Sequence, residues 1–228
     1  MIVHVYRRAA STPGVDAVIV ATDDERVVRA VEACGGRACL TSSAHRTGTD
    51  RVAEVAASLD CEIVINLQGD EPLIHPEMIH ATIEPLLRDS SLEMSTVCRA
   101  ITEHDDYMNP NIVKVVRDAR GMALYFSRSP IPHVRGPRPT LWKHFGLYGY
   151  RRAFLLTLST LASTPLEQAE SLEQLRVLEH GYRIYAALTE HDSIGVDTPE
   201  DLDRVRRLIG AHSRHEAANV GPGDRAHT

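Results

Sequence analysis

The chain has 228 residues, of which 43% are hydrophobic and 25% charged, the balance of a globular protein with one efficient core. A formal net charge of -6 excludes a general nucleic-acid binder, which needs a basic surface, but leaves room for a local basic site that takes a small anion. No apolar run is long enough for a membrane span, and Met1 leads straight into Ile2-Val3-His4-Val5 without a basic leader region, so the expected location is cytoplasmic.

Residues 1–10 carry apolar side chains near helical spacing and predict a helix, followed by a turn at Ser11-Thr12-Pro13-Gly14. The β-rich run 17–21 predicts a strand that ends at Thr22-Asp23-Asp24. Residues 25–34 predict an amphipathic helix with Val27, Val28 and Val31 on one face, closed by Gly35-Gly36, and 37–40 a short strand. Such a β-α-β unit makes parallel sheet. A polar stretch from Thr41 to Arg51 runs into a helix ending near Leu59. Residues 62–68 predict a buried strand, 76–88 a helix with Pro at its first turn, and 93–100 a strand. A helical turn over 102–107, strands over 113–117 and 123–128 joined by a hairpin at Gly121, and a proline-rich irregular loop over 129–140 follow. The remaining expectations are a strand over 143–150, helices over 151–161 and 171–181, a strand over 183–188, and a last helix over 199–210. From Ala211 on, the small polar tail is expected to be disordered. The chain is therefore expected to be a single domain over 1–210. The four cysteines, Cys34, Cys39, Cys61 and Cys98, lack zinc spacing; three lie in or beside apolar runs and are expected to be buried thiols, which suits a reducing compartment.

The chemistry centres on Gln68-Gly69-Asp70-Glu71-Pro72. This stretch ends a buried strand on a glycine and two carboxylates, and in open α/β sheets ligands sit beyond the carboxyl ends of the strands. The same residue types also make ordinary turns. A second carboxylate, Asp197, lies just outside a helix start in which Thr198 is the N-cap, Pro199 takes the first helical position and Asp201 completes a capping-box spacing. Two acids placed in this way, Asp70 and Asp197, can share one Mg²⁺ with phosphate oxygens. The run His45-Arg46-Thr47-Gly48-Thr49-Asp50-Arg51 offers hydroxyls and free backbone donors at a helix N-terminus, which suits an anionic ligand as well as an ordinary cap. Arg128, between a strand and the proline-rich loop, can clamp a carboxylate or simply sit at the surface. His144 reads first as a buried structural residue, and Glu173 and Gln174 as charged and polar residues of a solvated helix face. No dinucleotide, Walker, serine-hydrolase or zincin motif occurs.

Taken together, these segments resemble one family. They are Val20-Ala21-Thr22-Asp23, Thr47-Gly48-Thr49-Asp50-Arg51, Asn66-Leu67-Gln68-Gly69-Asp70-Glu71-Pro72, the run from Asn109 to Val116, Ala123-Leu124-Tyr125-Phe126-Ser127-Arg128, the run from His144 to Tyr150, Leu172-Glu173-Gln174-Leu175-Arg176 and the run from Gly195 to Asp201. The chain resembles the 3-deoxy-manno-octulosonate (Kdo) cytidylyltransferases of lipopolysaccharide biosynthesis over nearly its whole length. The Tyr-Phe-Ser-Arg and Leu-Glu-Gln-Leu-Arg segments distinguish it from related sialic-acid activating enzymes. The resemblance implies a Rossmann-like nucleotide-diphospho-sugar transferase fold, with a mostly parallel sheet flanked by helices and a smaller antiparallel dimerisation part. It also implies a homodimer with CTP and Kdo as substrates, CMP-Kdo and pyrophosphate as products, and Mg²⁺ as cofactor. By the same resemblance Asp70 and Asp197 hold the metal, and Thr22, Asp23, His45, Thr47, Gly48, Thr49, Arg51 and Gln68 lie at the nucleotide. Arg128, His144, Glu173 and Gln174 then face the sugar acid, with Asp70, Asp197 and Arg128 as the catalytic set.

One departure stands out. The family begins with a strand and a phosphate-gripping loop rich in Arg, Ser, Pro and Lys, and Met1 falls where the family has the helix that follows. The expectation is a true start upstream, with the 228-residue chain unstable or nearly inactive; the alternative is a relative that lost the loop and no longer turns over CTP. A cytidylyltransferase for a related sugar acid also stays open, since one contact can change the preference.

Overall fold

The computed structural model describes residues 1–196 and 198–219. Helix α1 (Ile2–Ala10) precedes β1 (Ile19–Thr22), α2 (Glu25–Glu32) and β2 (Arg37–Leu40). Asp24 caps α2 by accepting from the Arg26 amide at 2.8 Å, the use expected of an acid one residue outside a helix. Strands β1 and β2 pair in parallel, as the β-α-β pattern predicts, and form a two-stranded sheet of their own.

Next come α3 (Gly48–Ala57), β3 (Ile63–Asn66), α4 (Pro76–Arg88), β4 (Met94–Ala100), α5 (His104–Met108), β5 (Lys114–Arg117), β6 (Ala123–Ser127) and β7 (Trp142–Arg151). The chain ends with α6 (Arg152–Leu158), α7 (Pro165–Glu170), α8 (Gln174–Glu179), β8 (Ile184–Leu188) and α9 (Pro199–Asn219). The second sheet runs β6-β5-β7-β4-β8, with β3 also on β7. It is mixed rather than mostly parallel: β4 and β8 are parallel, while β7 runs antiparallel to β3, β4 and β5, and β5 to β6. Direction across these distant pairs is set by contacts far apart in sequence, which a local β-α-β pattern does not report. Among the described residues no ladder joins β1 to β3, so the two sheets lie on α3 side by side without hydrogen bonds between them.

Alternation along the strands builds a core on each face. Met94, Cys98, Tyr150, Ile184 and Ala186 pack with Phe154, Leu155 and Leu175 on one side. Val97, Phe145, Leu147 and Ala187 pack with Met78, Ile79 and Ile83 of α4 on the other. The large sheet is thus flanked by helices on both faces. Of the cysteines, only Cys98 is buried; Cys34 in the turn after α2, Cys39 on the short strand β2 and Cys61 just before β3 are half-buried, because each lies at or beyond the end of an element or on the small sheet rather than in the core. No helix among the described residues is long and apolar enough to cross a membrane.

Three local expectations are corrected. The helix predicted over 171–181 is α8 alone, because Ser171 takes a left-handed conformation (φ 52°) and ends α7. Helix α7 itself was missed, although Thr164-Pro165 and Glu167 form a capping box. Helix α9 continues through Asn219 rather than stopping at Gly210, since an interior glycine costs only about 1 kcal/mol and alanines follow; residues 220–228 lie outside the described residues.

Gly149 on β7 marks a close approach. A Cβ there would fall 2.6 Å from the Ser95 hydroxyl and about 3 Å from Leu86 and Thr82 of α4. Gly149→Ala is expected to cost about 1–3 kcal/mol by overpacking, read as a lowered midpoint in urea unfolding.

Candidate active site

The carboxyl ends of β1 and β3 and the N-terminus of α3 meet at one edge of the molecule. Arg51, one turn into α3, reaches Asp23 after β1 at 3.1 Å and donates to the Thr41 hydroxyl at 2.5 Å. Thr22 is buried, and its hydroxyl accepts from the Asp24 amide at 3.1 Å. Thr47 caps α3 by accepting from the Asp50 amide at 3.2 Å. Gly48 leaves room for the Gln68 side chain, which would stand 3.1 Å from a Cβ at that position. The Gln68 amide in turn donates to Asn66 at 3.1 Å. So Thr22, Asp23, Thr47, Gly48, Arg51 and Gln68 are gathered into one wall at the N-terminus of α3. His45 pairs instead with Glu54, further along α3, and lowers the Glu54 pKa by that hydrogen bond.

Thr49 links this wall to a second one. Its hydroxyl donates to Glu173 at 2.7 Å and accepts from Asn66 at 3.4 Å. Glu173 is exposed, whereas Gln174 is buried, so the solvated face expected for the pair holds for the first only. Thr49, Tyr148, Tyr150, Glu173, Gln174 and Arg176 surround a cavity of about 10 Å³, room for a single water molecule at most. Burial holds the Tyr148 and Tyr150 phenols well above their ordinary pKa, so both remain neutral donors.

His144 lies beneath this wall. It is buried, its Nε2 is 2.9 Å from the Thr96 hydroxyl, and its ring meets Phe126 edge-on at 4.8 Å and Tyr148 at 5.5 Å. Burial pushes its pKa down to about 3, so the ring is neutral. The unfolded chain therefore takes up a proton near pH 6.5 that the folded chain refuses. This contribution to stability is full above pH 6.5 and is lost as pH falls toward 3, at a limiting slope of about 1.4 kcal/mol per pH unit. Urea unfolding across this range is expected to show that slope, flattened in His144→Gln.

Arg128 sits at the end of β6. Its Nε donates to the Glu170 carbonyl at 2.9 Å, an Nη to the Pro110 carbonyl at 3.3 Å, and its amide to the Glu170 carboxylate at 2.9 Å. Part of its fork is thus already spent on backbone. Lys114, missed in the sequence, holds this corner: it is fully buried, and its ammonium donates to the carbonyls of Asn109, Ile112 and Arg128 at 2.5–2.8 Å. Glu170, also missed, accepts from the Ser127 hydroxyl at 2.5 Å. The only signal for either was its place in or near a segment of the family resemblance.

Asp70, half-buried, follows β3. Its carbonyl accepts from the Val196 amide at 2.9 Å, and the neighbouring Glu71 carboxylate accepts from the Ser193 hydroxyl. The chain leading to Asp197 therefore runs along the end of β3. Asp197 itself lies outside the described residues, so the structure leaves the meeting of the two carboxylates untested. The cap that follows it is as expected, with Thr198 and Asp201 exchanging hydrogen bonds at 2.8–3.2 Å.

The fold and this edge define a class, the α/β nucleotide-sugar transferases. A solved 4-diphosphocytidyl-2C-methyl-D-erythritol synthase from Anaerococcus prevotii shares the fold at a TM-score of 0.59 and 15% identity, covering 92% of this chain and 89% of that one. The protein-family model described as Cytidylyltransferase matches residues 1–184. The 3-deoxy-manno-octulosonate cytidylyltransferase of Geobacter metallireducens is 54% identical over 217 residues, covering 90% of this chain and 85% of its own. That of Geotalea daltonii is 55% identical over 217 residues, covering 90% and 86%. A structure of CMP:2-keto-3-deoxy-manno-octonic acid synthetase complexed with CTP matches at a TM-score of 0.89 and 45% identity, over 92% of this chain and 88% of that one. The chain belongs to the 3-deoxy-manno-octulosonate cytidylyltransferase family of nucleotidyltransferases.

Proposed function

We propose that the protein couples CTP to Kdo, giving CMP-Kdo and pyrophosphate for lipopolysaccharide biosynthesis in the cytoplasm. The anomeric hydroxyl of the sugar acid attacks the α-phosphorus. A new O–P bond forms, the bond to pyrophosphate breaks, and the hydroxyl proton is released. The wall of Thr22, Asp23, Thr47, Gly48, Thr49, Arg51 and Gln68 takes the nucleotide, with the α3 amides toward its anionic part. His45, paired with Glu54, borders it. Arg128, Glu173 and Gln174 orient the sugar acid, Arg128 through its carboxylate. His144 supports Tyr148 from below as a neutral ring. The protein's own task is positioning and electrostatics.

Asp70 offers a hard carboxylate oxygen of the kind Mg²⁺ seeks, and the Val196 amide, bonded to the Asp70 backbone carbonyl, holds the chain before Asp197 at the same strand end. Asp70 and Asp197 would hold the ion, which when bound neutralises phosphate charge. The Val196–Asp70 hydrogen bond is the observation that most supports the reading. The test is pyrophosphate release from CTP with a panel of sugar acids. Release with Kdo above that with amino-substituted analogues supports it, and release without a sugar-acid preference opposes it.

A second reading has one observation in its favour, the break between β1 and β3. In this reading the 228-residue chain retains sugar-acid binding but neither binds nor turns over CTP. Calorimetric titration with CTP and Mg²⁺ separates the two, since only the first requires nucleotide binding. We also propose a homodimer. Leu124 on β6 and Leu188 on β8 are more than half exposed, and the two end strands they stand on are drawn together by the Met122–Tyr185 bridge, so they offer apolar surface for a second copy to cover. Sedimentation equilibrium at twice the chain mass is the expected result.

A further inference from the structure

The geometry points to a second cation site, made by His75, Glu77 and His191, that takes a borderline transition ion such as Zn²⁺ in preference to Mg²⁺. It shares no residue with the acids assigned to Mg²⁺ and does not depend on the proposed reaction. One donor atom from each residue lies within 4.8 Å of the other two. Two imidazoles and a carboxylate form a donor set that suits zinc, cobalt or nickel, whereas magnesium seeks oxygen ligands only.

The three side chains come from two elements. His75 caps α4, its Nδ1 accepting from the Glu77 amide at 3.3 Å, so its Nε2 remains for a ligand. Glu77 stands in the first turn of α4, with its carboxylate on the His191 Nε2 at 2.5 Å and its side chain 73% exposed. His191 follows β8, its amide held by the Thr189 hydroxyl at 3.1 Å. The two rings stack in parallel, 3.6 Å between centroids and 2° between planes. Imidazole lone pairs lie in the ring plane, so one ring must tilt for both to reach a common ion. The exposed Glu77 and the half-buried His191 have room for that movement.

The location gives the site a consequence. His191 precedes Ser193, which donates to Glu71, and Val196, which donates to Asp70. An ion shared with α4 would fasten this connection at its start and slow amide exchange along residues 190–196.

The test is calorimetric titration of the untagged, metal-free 228-residue chain with ZnCl₂ alone and again in excess MgCl₂. The expected result is one zinc equivalent that magnesium does not displace, with affinity at least tenfold weaker in Glu77→Gln and in His191→Ala. Glu77→Gln keeps an exposed side chain of the same shape, so a folding defect would not mimic the loss. A Co²⁺ spectrum without a thiolate charge-transfer band is expected too, because the half-buried cysteines are the competing ligands. Equal zinc affinity in all three chains, displacement by magnesium, or a thiolate band that survives in wild type would each overturn the site.

Discussion

Replacing Asp70 by Asn is expected to lower CMP-Kdo formation about a thousandfold. The amide keeps the size of the side chain, and the bond from Val196 goes to the Asp70 carbonyl, which the substitution does not touch. What is lost is a charged oxygen at the end of β3. Neutralising phosphate charge in a site of this kind is worth several kcal/mol, so the loss is read on turnover and on Mg²⁺-dependent CTP binding. Pyrophosphate release at saturating substrates reads the first, and calorimetry with CTP at two Mg²⁺ concentrations reads the second. Unchanged Mg²⁺-dependence in the variant would remove Asp70 from the metal site.

The second large effect is expected at Lys114. Lys114→Met keeps the volume of the stem but removes the ammonium that three carbonyls share. The Asn109 carbonyl keeps the Ile112 amide, but the part-buried carbonyls of Ile112 and Arg128 lose the ammonium, at about 2 kcal/mol in total, or about 4–8 °C in unfolding midpoint for a chain of this size. The Arg128 carbonyl is one of the three, so the guanidinium is displaced with it. The KM for Kdo should therefore rise more than the KM for CTP. An equal rise in both would show that Lys114 stabilises the fold without positioning Arg128. Burial and the nearby Arg128 charge lower the Lys114 pKa, which fits an ammonium held only by neutral carbonyls.

The segments that could be read from sequence were those governed by local rules. The strand that stops before Gln68-Gly69-Asp70 and the Thr198–Asp201 box each follow from residues within a few positions of one another. The parallel pairing of β1 with β2 was local too, because one short helix joins them. Pairing of β7 with β3, β4 and β5 was not legible, since it depends on packing between residues up to about ninety positions apart. Glu173 shows both limits at once. Its sequence context reads as a solvated helix face, and it is exposed, yet Thr49 from the far side of the chain holds its carboxylate. Lys114 was hidden for a related reason: a lysine at a strand start predicts solvent, and only the folded turn of 109–112 supplies the carbonyls that draw it inside.

The gap between β1 and β3 sets a mechanical boundary through the nucleotide wall. Thr22 and Asp23 ride on the small leaf, Gln68 and Asp70 on the large one, and the Arg51–Asp23 ion pair straps the small leaf to α3. The small leaf can swing without breaking a single rung of the larger sheet, so a ligand that spans both would act as the missing crosspiece and damp their relative breathing.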